Sequence, residues 1–98
     1  MFIRRTTYRM APGHDSPAGQ RQFEKDLRAL VEPEEITGLI STAHVPNDDG
    51  SWFVIAVWQD RKFADAEMPR IREAWASLSD RLAGPPTIEA SSVSLVEY

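Results

Sequence analysis

Between Asp49-Gly50 and Asp60 stands Trp52-Phe53-Val54-Ile55-Ala56-Val57-Trp58-Gln59, a run in which seven of eight residues are apolar. Its length, its β-branched and aromatic content and its turn-forming flanks make it a strand rather than a helix. Successive strand side chains point to opposite faces. One face therefore takes Trp52, Val54, Ala56 and Trp58, and the other Phe53, Ile55 and Val57. Neither face is polar, so both need cover. A chain of 98 residues is one domain, 1–98, with a single modest core. The rest of that domain has to supply the cover.

The other elements follow in order. Residues 2–10 read as a strand stopped by Ala11-Pro12-Gly13, with Phe2, Arg4, Thr6, Tyr8 and Met10 on one face. Arginines on both of its faces suggest a sheet edge or cavity mouth. Ser16 is a candidate N-cap and Pro17 a first helical residue; Phe23, Leu27, Leu30 and Val31 then form an apolar stripe, with Glu24 and Arg28 paired on the wet side. Glu32-Pro33 ends this helix. Residues 36–45 form a second strand, with Ile36, Gly38, Ile40, Thr42 and His44 on one face, and the turn at residues 46–50 joins it to the opening run as an antiparallel hairpin. Asp60 caps a helix over residues 61–82, kinked or split near Met68 by Pro69, with Met68, Ile71, Trp75, Leu78 and Leu82 as its buried stripe. Gly84-Pro85-Pro86 stops it, and residues 87–98 close the chain as a fourth strand whose apolar surface comes from Ile88, Ala90, Val93, Leu95 and Val96.

The order is β-α-β-β-α-β. Right-handed crossovers turn it into a ferredoxin-like α+β sandwich, a four-stranded antiparallel sheet with both helices on one face. Two helices leave the other face bare. With Trp52, Trp58, Tyr8, Thr6, Ile40 and His44 as its candidates, that face is too apolar to stay wet. Burying one large apolar side chain is worth roughly 1.5–3 kcal/mol. The expected remedy is a homodimer, sheet against sheet, closing a dimeric α+β barrel.

Composition removes several classes. Eleven basic against fifteen acidic residues give a net charge of −4 with no basic run, so neither nucleic acid nor an anionic membrane is an expected partner. There is no cysteine, and His14 and His44 are the only histidines, so no metal site is expected. The opening Met1-Phe2-Ile3-Arg4-Arg5 meets arginines before any apolar run, which makes a cytoplasmic protein the expectation.

Phe2-Ile3-Arg4-Arg5-Thr6-Thr7-Tyr8-Arg9-Met10 followed by Pro12-Gly13, then Gly38-Leu39-Ile40, Val57-Trp58-Gln59-Asp60 and Gly84-Pro85-Pro86, resemble in order and spacing the dimeric α+β barrel superfamily. Within it they resemble the antibiotic-biosynthesis-monooxygenase-like domains, over nearly the whole chain. Members of the superfamily include cofactor-free quinone-forming monooxygenases, haem-degrading enzymes, isomerases and dehydratases. Trp58 matches the strand-end tryptophan that helps line the pocket of the cofactor-free monooxygenases. Where those enzymes carry an asparagine four residues earlier on the same face, this chain has Val54. The resemblance therefore lacks one group that polarises substrate oxygens. Haem degraders carry an asparagine on the first strand, here Thr6, and a tryptophan and a histidine on the second helix. Ala66 stands near that tryptophan position and the helix has no histidine, so neither haem nor another cofactor is expected.

Six residues are candidates for a site. His44 would act as a base near neutral pH, or else is a strand-end histidine half in water beside Pro46. Tyr8 would be its catalytic companion. Trp58 and Trp52 would stack on a flat aromatic ligand or fill the dimer core. Arg4 and Thr6 share the face of Tyr8, where a guanidinium would meet an anionic or enolic ligand. Alternatively Arg4 would pair with an acid across the interface, Glu89 or Glu97. Trp75 reads as core and His14 as a solvated loop residue. These residues suit a cofactor-independent, monooxygenase-like or isomerase-like enzyme on an aromatic or polyketide-type small molecule. The alternative is a non-catalytic dimer that binds a small molecule or assembles with a partner. An RNA-recognition module shares the element order but needs a basic Gly-aromatic motif, which Gly50-Ser51-Trp52-Phe53 lacks.

Overall fold

The computed structural model describes residues 1–92, so the expectations placed on Val93, Leu95, Val96 and Glu97 lie outside the described residues. Strands β1 (Phe2–Tyr8), β2 (Leu39–Pro46), β3 (Trp52–Trp58) and β4 (Thr87–Ser92) alternate with helices α1 (Pro17–Leu30) and α2 (Arg61–Ser77) in the expected β-α-β-β-α-β order. The sheet runs β2-β3-β1-β4, every neighbour antiparallel. Both helices start as their sequences dictate. Ser16 Oγ accepts the Gly19 N–H at 3.0 Å ahead of Pro17, and Asp60 Oδ1 accepts the Lys62 N–H at 3.0 Å. No helix among the described residues is long and apolar enough to cross a membrane.

Several expectations need correction. β1 lies inside the sheet, between β3 and β4, which excludes the edge and leaves the cavity as the other expected setting for its arginines, one that Arg4 meets. Its arginines are accommodated individually: Arg4 turns inward to Asp65, while Arg5 lies over the Phe53 ring at 4.3 Å. Helix α2 runs through Pro69 unbroken. The carbonyl deprived of its donor is that of Asp65, and both residues are exposed, so water meets it. Strand β2 begins at Leu39, three residues later than expected, after a 3-10 turn at Pro33–Glu35. Gly38 makes the entry at φ +83, where a Cβ would lie 2.3 Å from the Phe63 ring. A register shift between Leu39 and Ser41 then puts Leu39 on the same face as Thr42 and His44. Ile40, expected beside them, is 51% exposed instead.

The largest correction concerns which side of the sheet is covered. Strand pairing does place Trp58, Val54, Tyr8, Thr6 and His44 on one face, but the helices lie on that face rather than leaving it bare. Tyr8, Val54, Phe23, Leu27, Trp75, Leu78 and Leu82 form one buried cluster. Phe2, Ile36, Trp58 and Ala64 form a second. Trp52 is half-buried against the first cluster. The face without cover from the described residues carries Ile3, Thr7, Val45, Phe53, Ile55 and Val57, all half-buried, with Arg5 and Glu89 exposed. Period-two alternation sorts side chains into two sets without saying which set the helices take.

Candidate active site

On the helix-facing side of β3 the order is large, small, small, large: Trp52, Val54, Ala56, Trp58. The two small residues, with Thr6 beside them on β1, leave a hollow that the helices roof but do not fill. The result is a cavity of about 400 Å³ between the two core clusters. Its floor is Thr6, Val54, Ala56 and Trp58; Leu27, Ile71 and Trp75 come down from the helices. Val31 and Ile71 pack against both clusters and so bridge the gap. The volume falls in the range of small-molecule sites, and the mixture of apolar walls with a few converging polar groups is typical of them.

At one end stands His44, opposite Val54 on β2 and lining the cavity. Its Nδ1 lies 2.8 Å from the Tyr8 hydroxyl. Gln20 Nε2, on α1, donates to the same hydroxyl oxygen at 2.9 Å and to Glu24 Oε1 at 3.0 Å. Tyr8 still has its proton and a second lone pair for His44 Nδ1. If the hydroxyl donates to Nδ1 the imidazole proton is on Nε2, and if it accepts from Nδ1–H then Nε2 is unprotonated. Among the described residues no protein group bonds Nε2, which leaves it to a ligand. The Glu24 carboxylate stands 3.8 Å from Nδ1. Burial pushes the His44 imidazole below its ordinary value, against the opposing pull of Glu24, so the ring is neutral at pH 7. Burial raises the Tyr8 phenol far above its ordinary value, opposed by the Gln20 hydrogen bond, and the hydroxyl stays protonated. The Tyr8 ring is fixed by Phe23 at 5.2 Å and Trp75 at 5.3 Å between centroids.

At the other end lies Arg4, 8% exposed. Its Nη2 donates to Asp65 Oδ1 at 3.0 Å, and its Nη1 faces Ala64 O at 3.4 Å and Met68 Sδ at 3.6 Å. This contact holds the Asp65 carboxyl below its ordinary range. Arg4 Nε and Trp58 Nε1 are buried and meet no acceptor among the described residues.

Five of the six predicted residues meet here. His44, Arg4, Thr6 and Trp58 line the cavity, and Tyr8 stands behind His44. Trp52 does not line it, which removes it from the ligand-stacking pair. Trp58, 1% exposed, is buried within its own chain and so fills no dimer core. The acid expected for Arg4 is neither Glu89, which lies on the opposite face, nor a residue across an interface, but Asp65 of α2. Glu24 is not paired with Arg28 on the wet side. It turns to Gln20 and His44, while Arg28 reaches Glu34 at 3.3 Å. Gln20, Glu24 and Asp65 join the site without a sequence motif to mark them, and Trp75, a core residue as expected, also lines the cavity. Gln20, Phe23, Glu24 and Leu27 share one helical face by spacing, and that was the available signal. Among the described residues no three His, Asp or Glu side chains converge on a point that would hold a metal.

No protein-family model matches the chain, and no curated protein matches it in sequence. Solved structures do match in shape. A protein of unknown function from Nitrosomonas europaea aligns with 99% of this chain and 92% of its own at 17% identity, with a TM-score of 0.76. A protein provisionally described as an antibiotic biosynthesis monooxygenase from Deinococcus radiodurans aligns over 100% and 97% at 14% identity, TM-score 0.75. A similarly described protein from Caulobacter crescentus covers 96% and 90% at 20% identity, TM-score 0.69. The chain has the ferredoxin-like fold of the antibiotic-biosynthesis-monooxygenase-type structures. At these identities the likeness extends to the fold and not to an activity.

Proposed function

We propose that the protein is a small cofactor-independent enzyme, monooxygenase-like or isomerase-like, that takes the proton of a phenol or enol carried by an aromatic compound in the sheet–helix cavity. The observation that carries this reading is the Glu24–Gln20–Tyr8–His44 chain ending at an apolar cavity. A phenol hydroxyl both donates and accepts, so Tyr8 serves either tautomer of His44. When the ring holds its proton on Nδ1 against Tyr8, Nε2 is the base facing the ligand. The imidazolium formed by proton transfer is then stabilised by Glu24, 3.8 Å from Nδ1. The resulting phenolate or enolate is electron-rich enough to react with O2 or to be reprotonated on carbon. Trp58 and Trp75 supply flat walls for the ring system.

Oxygen uptake and product analysis with hydroxylated naphthalenes and anthracenes, without added flavin or metal, test the reading. Turnover lost by at least about a hundredfold in His44→Ala supports it. A second reading, a binding protein without chemistry, rests on Val54 and Ala56, which put no polarising group on the cavity floor. Ligand-induced stabilisation with no product in any case would decide for it.

We also infer that two copies associate through the bare sheet face. Its half-buried aliphatic and aromatic residues need cover. Its exposed charges, Arg5 and Glu89, are cross-strand neighbours of opposite sign, so the face is electrically balanced and suits a copy of itself. Light scattering should return about twice 11.1 kDa, falling to the monomer mass in Ile55→Asp. A monomeric wild-type chain would sink the dimer.

A further inference from the structure

Of the polar side chains that line the cavity, only Arg4 and Thr6 are buried, while Lys25, Arg28 and Thr42 are exposed. Arg4 is engaged by α2, through Asp65, Ala64 and Met68, and its Nε is sealed. Thr6 is different. It is 7% exposed, and its hydroxyl finds no hydrogen-bond partner among the described residues. Unlike Arg4 Nε it is not closed off, and the open space on its side of the sheet is the cavity. A valine here would have the same branched shape and the same preference for a strand. It would also spare the fold a buried hydroxyl without a partner, which costs stability. The floor beside it is already apolar, with Val54 and Ala56.

His44, Val54 and Thr6 follow one another in a single row across β2, β3 and β1. At the usual strand spacing His44 and Thr6 lie about 10 Å apart between Cα atoms, with Val54 between them. The His44 ring leans toward β1, since its Nδ1 reaches the Tyr8 hydroxyl. His44 Nε2 and the Thr6 hydroxyl thus flank the space above Val54. We propose that Thr6 is the second polar contact of the ligand, and that the ligand is an aromatic hydroxy-ketone. Its phenol meets His44, and its carbonyl, on the opposite edge of the ring system, accepts the Thr6 hydroxyl proton. This rests on reading His44 as the base of the cavity, and it adds the substrate class and the orientation. A carbonyl fits better than a second phenol because it takes the free O–H without needing an acceptor of its own. When it is conjugated with the phenol, it also gains negative charge as His44 removes the proton. The Thr6 hydrogen bond then strengthens where charge develops, which favours the ionised form.

The probes are 6-hydroxy-1-tetralone and 5,6,7,8-tetrahydro-2-naphthol, which differ only in the carbonyl, titrated calorimetrically into the full chain at neutral pH. The ketone should bind more tightly, and its advantage should fall about fivefold in Thr6→Val, the worth of one neutral hydrogen bond. Thr6→Ser, which keeps the hydroxyl, should retain the advantage. Thr6→Val should melt no lower than the wild type, because its hydroxyl has no protein partner to lose. An advantage unchanged in Thr6→Val, an equal loss for both ligands, or no binding of the ketone overturns the contact. So does a Thr6→Val variant that fails to fold or melts more than about 5 °C lower, since the hydroxyl would then serve the fold. Oxygen uptake with 2-naphthol, which has no carbonyl, separates this from the base. Turnover there with no Thr6-dependent preference removes the contact and leaves the base, whereas Thr6-dependent ketone binding with no turnover of any phenol does the reverse.

Discussion

Tyr8→Phe isolates the network at the base end of the cavity. The substitution removes one oxygen and leaves the ring seated between Phe23 and Trp75. It deletes two hydrogen bonds, at 2.8 Å to His44 and 2.9 Å from Gln20. Gln20 is 3% exposed, so its freed N–H finds no water easily. One unmet buried polar group costs about 1–3 kcal/mol. His44 recovers part of its loss because the cavity beside it can admit water. The expected destabilisation is therefore about 2–3 kcal/mol, or roughly 10–20 °C in Tm for a domain of this size. The charge state of His44 moves too. Its neutral form loses the Tyr8 hydroxyl at Nδ1 while its protonated form keeps Glu24, so the imidazole titrates at higher pH than in the wild type. Thermal melts followed by circular dichroism give the first quantity, and proton NMR of the histidine Cε1–H, assigned with His14→Gln, gives the second. A Tm within about 2 °C of wild type together with an unmoved His44 titration would show that the hydroxyl is not shared between Gln20 and His44.

Stability should fall as pH drops below the ordinary imidazole value of 6.5, because the native state holds His44 neutral where the unfolded chain protonates it; His44→Gln should flatten that limb of the Tm–pH curve. A second loss belongs to Asp26 and Asp65, whose native carboxyls are held below the ordinary value of 3.8 by Arg81 and Arg4, and it should appear as pH falls through and below that value. Gly38→Ala should cost more than about 2 kcal/mol in urea denaturation, since it combines a positive φ with a methyl group 2.3 Å from Phe63. Gly13→Ala, at a similar φ but with nothing within 4 Å, should cost only the backbone strain; equal losses at both sites would refute the steric part. Ile40→Thr should leave the urea midpoint nearly unchanged whereas Leu39→Ala lowers it, a contrast that an unbulged strand would reverse.

The element order, the helix caps and the hairpin were legible because each rests on local chemistry: Ser16-Pro17, Asp60, and Asn47 to Gly50 act through their nearest neighbours. The grouping of Tyr8, Thr6, Trp58 and His44 was legible because strand alternation is a property of the backbone. The side on which the helices lie was not. Both residue sets of β3 are apolar enough to be buried, and the difference is one of shape. The broad rings of Trp58 and Tyr8 mesh with Phe23, Trp75 and Ile36, while Ile3, Ile55 and Val57 make a flatter surface. Glu24 was misplaced for a related reason. A carboxylate next to a polar stripe reads as solvated, and only the approach of β2 to α1 shows that Gln20 and His44 wait on its inner side.

Strand β2 shows how the two ends of the site are set independently. The turn closed by the Asn47 N–H to Ser51 O bond, 2.8 Å, fixes the register at one end and sets His44 opposite Val54, facing the cavity. Alternation counted back from His44 would send Leu39 to the bare face and set Ile40 opposite Trp58. The extra residue between Leu39 and Ser41 restores Leu39 to the cavity side, where it faces Trp58 and lines the hollow. The consequence is Ile40, an apolar side chain left largely in water at the edge of the sheet. The bulge thus exchanges Ile40 for Leu39 as the residue that faces Trp58, while the turn at the other end of the strand independently keeps His44 at the cavity.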